Sequence, residues 1–399
     1  MKRVMITRLE QKQETPMRIS MIEPIGGHGG NEFYDFGLCE ALGKYCNISF
    51  YTCDETHLHE TYNLKTKTYK LYQKIYGKSY PLLRAFRYLL GALRTVIHAK
   101  KNNSNIGHVH IYHFDGRELI TVILCKIFFI KVVATIHDVE SFSSSNPSRY
   151  ASLKFIKFFP FIDRYIVHSR FASLKLNGIS RGLIKKRLHI VAHGDTDFIY
   201  KGDLTKIDAR KSIVIPADKK IILFFGQIKK VKGLDILLSA FSGLAKADPA
   251  YHLLIIGRPW KVDGQLIKDQ ISKLGIDAQV TINMAYVTNE DVPKYFVAAD
   301  IVVLPYLKIY SSGVLLRALD YKTPVVVSDL PPLVDIIHDG ENGRVFRCGN
   351  SDHLKSVITE MMQAPQLLKT YAEAGKKTVQ DKYSWDVVAR ETIAVYRAV

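Results

Sequence analysis

The chain has 399 residues, 47% of them hydrophobic and 24% charged, an ordinary globular composition with length enough for two separate cores. The formal net charge is +18 and uneven: 29 basic and 16 acidic residues in the first 200 positions, 27 and 22 in the remainder. A basic first half calls for an anionic partner, whether acidic phospholipid, a lipid-linked diphosphate or nucleic acid. Five scattered cysteines (Cys39, Cys46, Cys53, Cys125, Cys348) with no Cys-x-x-Cys pair argue against a disulfide or cysteine–zinc framework and for a reducing compartment.

Residues 1–16 are charged and lack the apolar segment of a signal peptide, so they read as an N-terminal extension. Residues 17–23 alternate as a strand and lead into a loop with Gly26, Gly27, Gly29 and Gly30, then a helix over 31–44. Such a loop lets another molecule approach the backbone. The spacing G-x-G-x-x-G is missing, which disfavours a dinucleotide-dependent dehydrogenase.

Residues 61–101 interleave Lys65, Lys67, Lys70, Lys74, Lys78, Arg84, Arg87 and Arg94 with tyrosines and Phe86, and 82–97 read as an amphipathic helix. Together with a second basic-aromatic segment, 149–161, this pattern suits the interface of an anionic membrane; a solvated helix packed on its domain is the plainer alternative. The same charge could serve nucleic acid, but no recognised nucleic-acid motif accompanies it, and none is expected as a partner. Residues 119–136 are the most hydrophobic run. Lys126 and Lys131 inside it oppose a spanning helix and favour a buried helix over 116–129 followed by a strand over 132–137. His137, with Asp138 after it, ends that strand, where open α/β sheets carry their binding groups. A strand over 164–168, a helix from Ser169 and a strand over 188–191 follow; His193 fits a structural or a functional role equally. The polar stretch near 196–219 reads as an interdomain connection.

The second half restarts with a buried strand over 220–227, then Lys229, Lys230, Lys232, Gly233 and Asp235 leading into a helix. Two cations at a strand-to-helix loop can neutralise a diphosphate leaving group. Residues 252–257 form a strand before Arg258, and 280–284 another before Tyr286 and Val287. A helix spans 290–298. Residues 301–305 form a strand, 308–312 a polar loop, a helix opens at Gly313, and 324–328 form a further strand. Small residues at the helix start (Ser311, Ser312, Gly313) offer unpaired amides to a phosphate or a simple N-cap. Residues 351–399 read as helical throughout. Alternating strands and helices in both halves predict two α/β units with parallel sheets.

The segment 304–328 resembles the donor-binding segment of retaining, nucleotide-sugar-dependent glycosyltransferases of the GT-B fold, of the group 1 or family 4 type. The matching residues are Ser312-Gly313-Val314 before the helix and Thr323-Pro324-Val325-Val326 after it. Gly226, Lys232, Gly233 and Asp235 match a second motif, with Gln227 at the usual arginine position and Lys229 two residues on. The chain departs from the family where two glutamates are expected: those positions are Ile309 and Arg317.

The resemblance implies two Rossmann-like domains facing across a cleft: an acceptor domain over 17–205, a nucleotide-sugar domain over 206–380, and a last helix over 381–399 crossing back to the first. It implies a metal-independent hexosyltransferase for surface polysaccharide, with no cofactor beyond a UDP- or GDP-sugar donor and a glycan or lipid-linked acceptor. The expected location is cytoplasmic, and the basic-aromatic segments would let the protein sit peripherally at the inner face of the cell membrane. It assigns diphosphate stabilisation to Lys229, Lys232 and the amides of Gly313 and Val314, and orientation of sugar or acceptor to His137 and Asp138. Donor contacts are expected from Gly27 and Gly29, Gln227, Arg258, Tyr286, Val287 and Ser312. Arg317 is expected to take over the phosphate role lost with Gln227. The missing glutamates leave open a catalytically weak GT-B partner of a polysaccharide assembly complex. A sugar-nucleotide epimerase shares the fold, but the lysine-rich loop suits transfer better.

Overall fold

A computed structural model describes residues 17–26, 32–56, 66–112, 114, 116–139, 155, 157–194, 204–288 and 290–399. The expected extension over 1–16 and the loop glycines Gly27 and Gly29 lie outside the described residues. The first sheet comprises β1 (Arg18–Ile22), β2 (Asn47–Cys53), β3 (Lys67–Tyr72), β4 (Ile106–Ile111), β5 (Lys131–Ile136), β6 (Arg164–Val167) and β7 (Leu188–Ile190). The second comprises β8 (Lys220–Phe225), β9 (Tyr251–Ile256), β10 (Val280–Asn283), β11 (Ile301–Leu304), β12 (Val325–Ser328) and β13 (Arg344–Phe346). Their orders are β3-β2-β1-β4-β5-β6-β7 and β10-β9-β8-β11-β12-β13, and every pairing is parallel. Runs such as Val132–Ile136 and Ile221–Phe224 are buried on both faces because helices cover each sheet on both sides.

The helices of the first domain are α1 (Glu32–Leu42), α2 (Pro81–Lys101), α3 (Gly116–Ile127) and α4 (Arg170–Ile179). Those that follow are α5 (Lys206–Ser212), α6 (Leu234–Ala247), α7 (Gly264–Leu274), α8 (Val292–Ala298), α9 (Gly313–Asp320), α10 (Pro331–Val334), α11 (Ser351–Gln363), α12 (Pro365–Lys382) and α13 (Trp385–Arg397). Both sheets change direction where two crossovers part, at β1/β4 and at β8/β11. A crevice opens there at the carboxyl ends of the strands, and the loops after β8 and β11 border it.

The run over 119–136 is α3 and then β5, as expected; Lys126 ends the helix in an ion pair with Asp163 (2.6 Å), and no described helix is long and apolar enough to cross a membrane. Other readings of the sequence change. The supposed connector contains α5, which packs on α8 and joins Asp300 through Lys206 (2.5 Å) and Arg210 (2.9 Å). The C-terminal stretch is helical, as expected, and divides into three: Pro365 opens α12 at a position needing no amide, and the expected last helix, α13, starts after Ser384. In the segment 149–161, Phe155 and Phe158 are buried in the first core, and the Arg187 guanidinium sits 4.5 Å over Phe159. Its described aromatics therefore face inward rather than towards a lipid surface.

α13 packs against α1. Gly37 and Gly194 lie against the Trp385 indole, which occupies the space a Cβ at either position would need. The Tyr396 hydroxyl lies 2.6 Å from His108 Nδ1 inside the first core. The loop after β11 also reaches over: Tyr310 is buried in the first core, 5.7 Å from the Phe171 ring, and Ser169 Oγ donates to its carbonyl oxygen at 3.2 Å.

Candidate active site

The first wall of the crevice is built of histidines at strand ends. His137 is the first residue beyond β5, His168 the first beyond β6, and His193 the third beyond β7. Tyr34 of α1 holds them together: its ring centroid lies 5.0 Å from His137, 5.0 Å from His168 and 4.9 Å from His193. His168 Nδ1 donates to the Val191 carbonyl oxygen (3.0 Å), so its Nε2 is an acceptor for His137 Nδ1–H at 3.3 Å. That chain leaves His137 Nε2 as an acceptor with no hydrogen-bond partner among the described residues. Burial, and then the neighbouring His168, hold the His137 imidazole well below its usual range, so it is neutral at neutral pH. Its ring lies flat on Tyr112, centroids 4.4 Å apart and planes within 7°. A neutral imidazole fixed in one tautomer can accept a hydroxyl proton in a hydrogen bond.

Lysines form the second wall. β8 delivers the chain to Lys229 and Lys232, and Gly233 turns it into α6 with φ +64°, where a Cβ would collide with the Pro305 carbonyl oxygen. That close approach folds the lysine loop onto the segment after β11: Lys232 Nζ sits 3.6 Å above the Tyr306 ring centroid. Burial pushes the Lys232 ammonium down to about 7, and the Asp138 carboxylate opposes the shift. Burial, then the charge of Lys232, lowers Lys229 too, and Asp138 again acts in the other direction. Asp138 of the first domain thus acts electrostatically on both lysines of the second.

α9 faces the histidine wall. The Ser312 hydroxyl accepts from Leu315 N–H at 3.2 Å and so caps the helix. The amides of Gly313 and Val314, at the first two helical positions, have no acceptor within the helix and remain for a guest anion. Gly313 has no side chain where it meets His193: a Cβ there would be 4.0 Å from His193 Cε1. Arg317, one turn on, helps to lower His193, after burial as the main cause, so its charge reaches the same wall. A cavity of about 280 Å³ beside this contact is lined by His168, His193, Tyr310, Ser312, Leu316 and Tyr383 among others.

The remaining candidates lie further out. Gln227 and Arg258 are exposed just past β8 and β9, and the Arg258 carbonyl oxygen accepts from Ile228 N–H at 3.0 Å. Tyr286 is exposed past β10, while the Val287 side chain packs on the second core. His168, Tyr34 and Tyr310 were not singled out in the sequence, where His193 fitted a structural or a functional role equally. The two tyrosines carry no motif, and His168 becomes a signal only when it is seen at the end of a strand. One group of potential metal ligands also occurs among the described residues: Glu23, Asp35 and His110, all buried. Burial and then Asp35 raise the Glu23 carboxyl to about 8, and burial lowers His110 to about 4.

Residues 205–378 match the family model described as Glycosyl transferases group 1. The fold is GT-B. Over 96% of this chain it superposes on HepE of Anabaena, solved in complex with UDP, with a TM-score of 0.74, 17% identity and 100% of that chain covered. In sequence, the chain is 31% identical over 192 residues to an uncharacterized glycosyltransferase of Methanocaldococcus jannaschii, covering 48% of each protein. It is 30% identical over 182 residues to the phosphatidyl-myo-inositol mannosyltransferase of Mycobacterium leprae, covering 45% of this chain and 47% of that protein. The chain spans about half the length of the curated relatives it matches. Within the GT-B fold the matched stretch takes in the lysine loop, α9 and the strands that hold them.

Proposed function

We propose that the protein is a retaining glycosyltransferase that moves a hexose-type sugar from a UDP- or GDP-sugar to a glycan or lipid-linked acceptor in surface polysaccharide biosynthesis. One observation carries this reading: the two walls meet as complementary halves, with Asp138 acting on Lys229 and Lys232 while His193 abuts the amide end of α9. The diphosphate would lie between the lysines and the Gly313 and Val314 amides, where cations, helix dipole and free N–H groups all favour negative charge. Arg317 would approach it from the far side. Gln227, Arg258 and the backbone at Tyr286 and Val287 would border the nucleoside. His137 Nε2 would accept a hydrogen bond from the sugar or acceptor.

In the reaction the acceptor oxygen attacks the anomeric carbon on the face the diphosphate leaves. The bond from that carbon to the phosphate oxygen breaks, and the acceptor proton passes to the departing phosphate oxygen. The protein contributes position and stabilises the charge that grows on the leaving group. No side-chain nucleophile is required.

The acceptor side suits a membrane surface. α2 buries Tyr88, Ala92 and Val96 and turns Tyr80, Leu82 (86% exposed) and Phe86 outwards beside Lys78, Arg84 and Arg87. It follows the edge strand β3, so it begins at the carboxyl end of the sheet, the same end as the crevice. Apolar and basic residues on one exposed helix end fit an anionic bilayer that presents a lipid-linked acceptor.

Thermal-shift titration with UDP, GDP and other nucleoside diphosphates, followed by transfer of labelled sugar from the preferred donor, tests the reading. Stabilisation by none of them would reject it. Ile309 and Arg317, where two family glutamates are expected, favour a second reading, a donor-binding partner of an assembly complex; nucleotide binding without transfer or donor hydrolysis would select it.

A further inference from the structure

Beside the point where the first sheet changes direction, three fully buried titratable side chains converge that the transfer reaction does not use. Glu23 follows β1, Asp35 lies in α1 and His110 in β4. His110 Nδ1 is 2.9 Å from Asp35 Oδ1 and 3.6 Å from Glu23 Oε2, and one ligand atom from each residue lies within 4.8 Å of the others. The 2.9 Å approach is out of line for a hydrogen bond. Neither His110 ring nitrogen has a hydrogen-bond partner, and Glu23 Oε2 has none, although Glu23 Oε1 accepts from Ile25 N–H at 2.6 Å. A cation about 2.1 Å from both a nitrogen and an oxygen 2.9 Å apart sets the nitrogen lone pair roughly 45° off the line between them. An approach unfit for a direct hydrogen bond is therefore the one a shared ion needs. A cation at this point would also let both buried carboxyl groups ionise.

We propose that Glu23, Asp35 and His110 bind a divalent metal ion of the zinc type, which ties β1, α1 and β4 together at the switch point. The two separations, 2.9 and 3.6 Å, bracket the edge of about 3.3 Å in a zinc tetrahedron. An imidazole among carboxylates suits zinc better than magnesium, which favours oxygen and water. His110 lies 5.2 Å from His137, centroid to centroid, so the ion would also steady the first wall of the crevice. The site stands whether or not the crevice transfers sugar.

The test uses the full chain, stripped with a chelator and titrated with zinc under equilibrium dialysis. One tightly held zinc per chain is expected, with a raised thermal midpoint. Glu23→Gln should bind at least tenfold more weakly, whereas His252→Ala, which removes a histidine of β9, should match the wild type. Should Glu23→Gln fail to fold, Asp35→Asn and cobalt binding by the wild type decide: a saturable visible band of tetrahedral cobalt without thiolate charge transfer is expected. No saturable zinc, equal affinity in Glu23→Gln, a thiolate band, or stoichiometric magnesium in preference to zinc would overturn the assignment.

Discussion

Lys232 gives the sharpest prediction. Its ammonium, ordinarily at 10.5, sits near 7 in the unliganded protein because it is enclosed, while some of its side-chain surface stays open to the crevice. At pH 8 it is then about nine-tenths deprotonated. A diphosphate against it restores the ammonium, so UDP binding at pH 8 should take up about 0.9 proton. The bound state holds the extra proton, so affinity should be flat below pH 7 and fall up to about tenfold per unit above it. The sign reverses for stability. Between about 7 and 10.5 the unfolded chain binds more protons than the folded one, so the unliganded protein should gain stability as pH rises through that window. Lys232→Met should abolish the proton uptake and weaken UDP roughly 10- to 100-fold at pH 7, the worth of a charge-assisted hydrogen bond of about 1.5–3 kcal/mol. It should also stabilise the unliganded protein by about 1–3 kcal/mol, since an apolar side chain of similar volume replaces an enclosed charge. Calorimetry in two buffers of different ionisation enthalpy measures the proton; urea unfolding measures the stability. Uptake near zero in the wild type, or undiminished uptake in Lys232→Met, would refute the reasoning.

Gly233→Ala should cost about 1–3 kcal/mol in urea unfolding and weaken UDP, because a φ of +64° and the Pro305 carbonyl leave no room for a methyl group; unchanged stability would count against the lysine-loop geometry. Arg317→Glu should raise the donor KM about tenfold or more through repulsion of the diphosphate; improved turnover would show that the position wants a carboxylate after all. Leu82→Ser with Phe86→Ser should cut sedimentation with anionic vesicles several-fold and leave transfer to a soluble acceptor unchanged, whereas undiminished vesicle binding would remove α2 from the membrane contact.

The two parallel sheets were legible because short β-branched runs such as Val132–Ile136 and Val325–Val327, bounded by turn residues, suit strands buried on both faces. Beside them, β2, β3 and β4 escaped notice. In β3, lysines alternate with Tyr69 and Leu71 at the sheet edge, so its charge read as a surface feature, and in β4 the histidines His108 and His110 masked a fully buried strand. The lysine loop and the Ser-Gly-Val helix start carried their chemistry in local order. The histidine wall did not, because its members stand 31 and 25 residues apart in the chain and meet only through parallel register. Glu23, Asp35 and His110 come from three elements and show no ligand spacing. Phe155, Phe158, Phe159 and Phe161 looked like part of a lipid-facing patch because composition does not tell which side of a segment faces inward.

The crevice account rests on where a donor's diphosphate lies. A crystal structure with UDP or GDP bound measures that directly. The expected density places the β-phosphate within hydrogen-bond reach of Lys232 Nζ and the Gly313 amide, with Arg317 approaching from the opposite side. Phosphates bound away from both Lys232 and Gly313 would contradict the account.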